Sequence, residues 1–295
     1  MDHDLLLALK HNAESVEAQL CSAFSDTDDD FSIISDAQLY SLMAGGKRIR
    51  PFLVYEFCKL FGGKEENAHH FAAAIEMIHT FSLIHDDLPC MDNDTLRRGR
   101  NTCHVEFGEA NALLAGDALS LAAIEEAAKA PLPSKDVLRA VSLLSSASGW
   151  KGMIAGQIMD IAAETTSIPY DKLKKLHSLK TGRLIECAAL LGCIAAGVEE
   201  DSAEYKNAKK YASAIGLAFQ IKDDILDATS DSETLGKTVG KDKESGKTTF
   251  LSFMDINEAE NVANELTDEA VSVISSYNNS EILTALAKYL LERKN

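Results

Sequence analysis

The chain has 295 residues, with 46 acidic against 29 basic side chains, a formal charge of −17, and 46% hydrophobic residues. That balance excludes a duplex-binding protein and one held on an anionic membrane, because both neutralise phosphate through a dominant basic face. Its 5 prolines and 17 glycines are too few for the frequent tight turns of a β-sandwich, so an all-α protein is expected.

Apolar residues recur at helical spacing over 5–24, 36–61, 65–88, 105–129, 134–163, 170–197, 202–229, 255–276 and 280–292, and no alternating strand pattern of useful length occurs. The breaks at Asp26-Thr27-Asp28-Asp29-Asp30, Gly62-Gly63, Pro131-Leu132-Pro133 and Ser167-Ile168-Pro169 are too short to link independent domains. A single helical domain over 1–295 is therefore expected, with the polar stretch from Ser230 to Thr249, which holds three glycines, as a loop. Met1-Asp2-His3-Asp4 has no basic region before its short apolar run, and the longest nearly apolar stretch, Cys187 to Val198, is too short to span a bilayer. Neither export nor membrane anchoring is expected. Six cysteines without a C-x-x-C pair read as reduced thiols in a cytoplasmic protein.

In chain order, the first segment that carries chemistry is Gly45-Gly46-Lys47-Arg48-Ile49-Arg50-Pro51, three cations in four residues beside a glycine pair that lets backbone approach a ligand. Glu66-x-x-His69 and Glu76-x-x-His79 resemble the paired motifs of di-iron bundles, but both lie in one short stretch and cannot face each other across a bundle. The apolar run from His79 then enters an acidic cluster, His85-Asp86-Asp87-Leu88-Pro89-Cys90-Met91-Asp92-Asn93-Asp94. On a straight helix Asp92 would point roughly 240° away from Asp86. Pro89 is expected to bend or end the helix and swing Asp92 back beside Asp86. Leu96-Arg97-Arg98-Gly99-Arg100 follows directly, and Lys180-Thr181-Gly182 is a further basic point. In Gly216-Leu217-Ala218-Phe219-Gln220-Ile221-Lys222-Asp223-Asp224-Ile225-Leu226-Asp227, Asp223 and Asp227 share a helix face, where two carboxylates repel unless a cation sits between them. The loop holding Lys237, Lys241 and Lys247 nearly spells a P-loop from Gly240 to Thr248. It has one residue too many between its glycines and follows an acidic helix instead of a strand, so the nucleotide reading is rejected.

Either acidic cluster alone reads as a solvated helix end. Two of them, each flanked by apolar helix and offering only oxygen, suit magnesium, which takes one or two carboxylates plus water and substrate phosphates. Arginine forks next to such carboxylates suit a diphosphate. Arg48, Arg100 and Lys243 read equally well as surface salt bridges.

At these residues the chain resembles the trans-type short-chain prenyl diphosphate synthases of the bacterial type, farnesyl diphosphate synthases in particular. The resemblance spans nearly the whole chain. It rests on Gly46-Lys47-x-x-Arg50-Pro51, Asp86-Asp87-x-x-x-x-Asp92 with its two-residue insertion, Arg97-Arg98-Gly99, Gly156-Gln157, Lys180-Thr181-Gly182 and Phe219-Gln220-x-x-Asp223-Asp224-x-x-Asp227. Cys103-His104-x-x-Phe107-Gly108-Glu109-Ala110-Asn111 and Leu114-Ala115-Gly116-Asp117-Ala118-Leu119 add to it. Each motif is weak alone, and their number, order and spacing make the match specific. Thr95, where another acid is common, and Asn101, where proline is usual, depart from the pattern.

The resemblance implies an isoprenoid-synthase-type helical bundle around a deep central cavity, and a homodimer. It implies magnesium, about three ions, held by Asp86, Asp92 and Asp223 on an allylic diphosphate, and all six aspartates of the two clusters, Asp86, Asp87, Asp92, Asp223, Asp224 and Asp227, are expected to face the cavity. By the same resemblance Arg97, Lys180 and Lys237 are direct diphosphate partners, and Lys47, Arg50, His79 and Arg98 hold isopentenyl diphosphate, with Gly46 and Lys247 also at the substrates. Thr181 and Gln220 match groups beside the carbocation, so Lys180, Thr181 and Gln220 are the expected catalytic set. No Ser-His-Asp or Cys-His nucleophile arrangement stands out, and His85 and His104 read as structural.

Phe81 lies five residues before Asp86, about 7.5 Å deeper along the helix axis, where its ring would form the floor that limits product length. Ser82 is too small to block a chain. In the family an aromatic residue here goes with the fifteen-carbon farnesyl product, whereas packing between helices is the other reading of Phe81. Geranylgeranyl or geranyl diphosphate synthase, a terpene cyclase on the same fold and a non-catalytic partner subunit are the alternatives.

Overall fold

The structure is a computed structural model that describes residues 3–25, 28–164, 166–229 and 248–293. Lys237, Lys241, Lys243 and Lys247 lie outside the described residues.

The helices that are apolar on every side form the centre, as burial on every side requires. In α10 (Arg183–Ala195) every residue from Leu184 to Ala195 is buried, and α3 (Ile49–Leu60) and α4 (His69–Asp86) are nearly as apolar all round. α3 packs on α10 and α4, while α6 (Glu109–Ala128) covers α4 and α11 (Ala203–Thr229) covers α10. α1 (His3–Ala23) and α2 (Ser32–Leu42) lie outside them, against α3, α4 and α6. A second apolar cluster, including Leu173, Ile221, Ile225 and Ala259, joins α9 (Tyr170–His177), α11 and α12 (Ile256–Ile274), and α13 (Glu281–Glu292) closes the chain against α11 and α12.

The all-α expectation holds, with corrections to single elements. The block expected over 36–61 is two helices. Gly45 and Gly46, with φ of 84° and 123°, and Arg48, with φ of 49°, turn the chain between α2 and α3. The block over 134–163 is likewise α7 (Ser134–Ser148) and α8 (Met153–Glu164), split where Gly152 lies too close to the Ala147 carbonyl for any side chain. Between α9 and α10 the helix widens into a π turn, Ser178–Gly182. A two-stranded hairpin, absent from the sequence expectation, pairs β1 (Leu96–Arg97) with β2 (Arg100–Asn101). Arg98 and Gly99 at its tip both have positive φ, the backbone of a type I′ turn, and two-residue strands are too short to show alternation. The short α5 (Cys103–Phe107) connects β2 to α6. Among the described residues no helix is long and apolar enough to cross a membrane.

α3 and α10 approach almost backbone to backbone. A Cβ on Gly192 would lie 2.5 Å from the Val54 carbonyl oxygen and 2.8 Å from Phe57 Cβ. Gly192→Ala forces the two central helices apart, and overpacking of this kind costs about 1–3 kcal/mol. The expected result is a lower urea midpoint with an unchanged slope, and an unchanged midpoint would refute the close contact.

Candidate active site

The first acidic cluster closes on itself as Pro89 suggested. α4 ends at Asp86, and the next turn curls back so that the Asp92 amide donates to the Asp86 carbonyl at 2.9 Å, with Asn93 in the left-handed region. Asp86 lines a cavity and its carboxyl titrates up at about 6, raised first by burial and then by Asp92 and Asp87, against the pull of Lys180 and Arg97. A carboxyl that resists ionisation in this way is relieved by a divalent cation.

Asp87 does a different job. It is buried, and it accepts from Arg97 Nε at 2.7 Å and Arg97 Nη2 at 2.6 Å, a fork that ties the end of α4 to the hairpin. In the second cluster Asp224 also turns inward, accepting from the Phe250 amide at 2.8 Å and from Gln220 Nε2 at 3.3 Å. The sequence reading had both residues facing the cavity. Instead they brace it, each turned onto protein partners, Arg97 for Asp87 and the Phe250 amide for Asp224.

The cavity encloses about 470 Å³. Its polar lining includes Arg50, His79, Ser82, His85, Asp86, Gln157, Lys180 and Thr181, and most of the rest is apolar, with Phe81, Leu83, Met153, Ile154 and Ile158 among it. Phe81 and Ser82 both reach the wall, as the helix geometry required. Phe81 stands edge-on to His85, ring centres 5.7 Å apart, and the His85 ring meets the Leu113 carbonyl at 3.0 Å in space that only Gly116 leaves open. His104 likewise bonds the Asp94 carbonyl at 3.0 Å, so both histidines are structural in these contacts.

Lys180 and Thr181 project from the π turn, a distortion common at functional sites. Gly156 of α8 touches the Lys180 backbone so closely that no Cβ fits, and the Lys180 ammonium bonds Asp160, one helical turn after Gly156. Thr181 Oγ1 donates to Gln220 Oε1 at 3.3 Å, which brings together the two oxygen-bearing side chains that the motifs singled out.

The basic segment before α3 supplies the other side. Arg50 is fork-shaped, lines the cavity, and leaves its Nε without a hydrogen-bond partner among the described residues. Burial and the nearby Arg98 pull its guanidinium down to about 10, so it stays charged at neutral pH. His79 is held well below its usual range, first by burial and then by Arg50, Arg98, Arg97 and Arg48, and is a neutral ring. Arg98 donates to the Gly45 carbonyl across Gly46, where a Cβ would lie 2.7 Å from the guanidinium carbon. Lys47 sits 5.7 Å from the centre of the Tyr289 ring, its pKa lowered by burial and by Arg293.

Asp223 does not line the cavity. It accepts from Arg293 Nη2 at 2.5 Å, and Arg293 also stacks over Phe219 at 3.8 Å and bonds the Phe219 carbonyl. Arg293 and Asp160 gave no sequence signal, the first lying past the last helical repeat and the second being one acid on an apolar helix. Among the described residues no three acidic, histidine or cysteine groups already converge on one metal position. The available donors, carboxylates in pairs, still fit magnesium, whose remaining ligands are water and substrate phosphate.

A model of the polyprenyl synthetase family matches residues 31–289. Farnesyl diphosphate synthase of Escherichia coli (strain K12) is 43% identical over 267 residues, covering 88% of this chain and 89% of that protein. The large subunit 1 of the chloroplastic heterodimeric geranylgeranyl pyrophosphate synthase of Arabidopsis thaliana is 45% identical over 273 residues, covering 89% and 72%. Among solved structures, a Helicobacter pylori geranyltransferase complexed with magnesium and isoprenyl diphosphate superposes with a TM-score of 0.87 at 32% identity, covering 99% of each chain.

The raised Asp86 pKa has a sign that can be measured. Between the ordinary carboxyl pKa of about 4 and about 6, the unfolded chain has lost this proton and the metal-free folded chain has kept it. Stability of the metal-free protein therefore falls at this group as pH rises through that window. Magnesium competes with the proton, so affinity in a calorimetric titration is expected to rise from pH 5 to pH 7 and to lose that dependence in Asp86→Asn. A pH-independent affinity in the native protein would contradict the assignment.

Proposed function

The chain belongs to the polyprenyl synthetase family and is a short-chain prenyl diphosphate synthase, and we propose that it condenses isopentenyl diphosphate with dimethylallyl and geranyl diphosphates to make farnesyl diphosphate. The observation that carries this reading is the largely apolar cavity whose polar lining includes the Asp86 carboxyl, Lys180 and Arg50, the last with its Nε unpartnered among the described residues. Residues 1–295 are read as one such catalytic unit. Leu114 and Leu121 of α6, exposed by 51% and 72% and seven residues apart on one helix face, give it an apolar strip suited to a second copy, which supports a homodimer.

In this reading Asp86, Asp92 and Asp223 hold magnesium on the allylic diphosphate. Bound magnesium supplies the charge neutralisation that lets the allylic C–O bond ionise. Lys180 and Arg97 stand on the same side and stabilise the departing diphosphate as its charge grows. The oxygens of Thr181 and Gln220 face the allylic cation, which needs dipoles and no nucleophile. Lys47, Arg50, Arg98 and the neutral His79 clamp the diphosphate of isopentenyl diphosphate, with the Arg50 Nε finding there the acceptor it lacks. The double bond then attacks the cation, and the departing diphosphate takes the proton.

Release of diphosphate is the direct test of class. It is expected from geranyl diphosphate only when isopentenyl diphosphate and magnesium are both present. Release from the allylic substrate alone would indicate a cyclase, and none a partner subunit. Product length tests the role of Phe81: Phe81→Ala removes a ring from the cavity wall, and chromatography is expected to show twenty-carbon and longer chains at the expense of the fifteen-carbon product. An unchanged profile would leave Phe81 as packing only.

A further inference from the structure

Glu76 belongs to none of the roles above, yet it is an acid with 2% of its side chain exposed in the middle of an apolar helix. Its Oε1 accepts from Arg48 Nη1 at 2.6 Å. The same guanidinium, also 2% exposed, donates through Nη2 to Glu17 at 2.9 Å and to the Leu42 carbonyl at 2.6 Å. One side chain thus joins α1, the end of α2 and α4. The equal chance of a surface salt bridge, left open for Arg48 by the sequence, is settled as burial.

The backbone of Arg48 is as unusual as its side chain. With φ of 49° and ψ of 38° it sits in the left-handed region, unfavourable for a residue with a Cβ, at the position just before α3. Such a conformation persists where surrounding contacts over-determine it, and strained residues of this kind gather at functional sites. Here the contacts come from Glu76, Glu17 and Leu42. The consequence falls on the neighbours in sequence: with Arg48 pointing into the protein, Arg50 two residues on lines the cavity and Lys47 reaches Tyr289. Glu76 also acts from the other side. Its charge favours the cationic forms of Arg50 and Arg98, which repel each other, and His79 follows it by one helical turn on α4.

We propose that Glu76, acting through Arg48, is a positioning residue for the isopentenyl diphosphate site: it holds the left-handed turn that aims Lys47 and Arg50, and keeps the arginines together while the site is empty. The proposal rests on the reading that Lys47, Arg50, His79 and Arg98 form that site. It makes a prediction of sign that charge alone does not. Glu76→Gln removes a negative charge beside an anion site, so a purely electrostatic role would tighten binding of isopentenyl diphosphate, whereas loss of positioning weakens it. Arg48→Lys keeps the charge and loses the multiple-contact fork, so any change it causes is geometric.

The test is steady-state kinetics of the full chain with magnesium, isopentenyl diphosphate and geranyl diphosphate, for Glu76→Gln, Arg48→Lys and Arg50→Ala, with folding followed by circular dichroism. Both positioning variants are expected to raise KM for isopentenyl diphosphate roughly tenfold or more, with KM for geranyl diphosphate and kcat changed by less than about threefold. An unchanged or lower KM for isopentenyl diphosphate, or equal damage to both substrates, overturns the proposal. If Glu76→Gln does not fold, the paired replacement Arg48→Met with Glu76→Leu removes both charges at once, a change that buried pairs tolerate better, and the same selective rise is expected from it. Arg50→Ala separates the two levels. If it leaves KM for isopentenyl diphosphate unchanged, the site reading falls and the positioning proposal with it; if it raises KM while the positioning variants do not, only the proposal falls.

Discussion

Charge placed beside an apolar cavity must be compensated before the ligand arrives, and this constraint organises the whole site. A buried ion without a partner costs several kcal/mol. Four internal pairs meet the requirement here: Arg48 with Glu76, Arg97 with Asp87, Lys180 with Asp160, and Arg293 with Asp223. Each joins two different segments of the chain, 10 to 70 residues apart, so the pairs hold the site in place as well as neutralising it. Where compensation is incomplete, at Asp86 and at the Arg50 Nε, the site retains its demand for a cation and for an anion.

The fold serves that charge arrangement through local departures from regular helix. α4 must stop at Asp86 for Asp92 to return to it. The π turn presents Lys180 and Thr181 together, and α8 approaches it closely only because residue 156 has no side chain. Two arginines, Arg48 and Arg98, take left-handed backbone on either side of Gly46, and the packing of their guanidinium groups supports those turns. The central helices are apolar on all sides, so they form a rigid wall against which these departures are fixed.

Much of this was legible in the sequence, for reasons that differ by residue. Helical periodicity located the bundle because the apolar stripes are long. Pro89 forecast the return of Asp92, and the motif order placed Thr181 with Gln220. Asp87 and Asp224 were misread because composition shows an acidic cluster but not which way each carboxylate points. The partner of Asp223 lies 70 residues along the chain, and that of Arg48 lies 28 residues along. Such long-range pairings have no local pattern. The hairpin at Leu96–Asn101 was missed for the opposite reason, being too short to have a period.

The central claim is that the site has two sides, one of guanidinium groups complete in the protein and one of carboxylates completed by metal. Calorimetric binding of isopentenyl diphosphate and of a non-ionisable allylic diphosphate analogue, each with and without magnesium, tests it most directly. The account predicts that isopentenyl diphosphate binds without magnesium and that the allylic analogue requires it. Equal dependence of both ligands on the metal, or none for either, would contradict it.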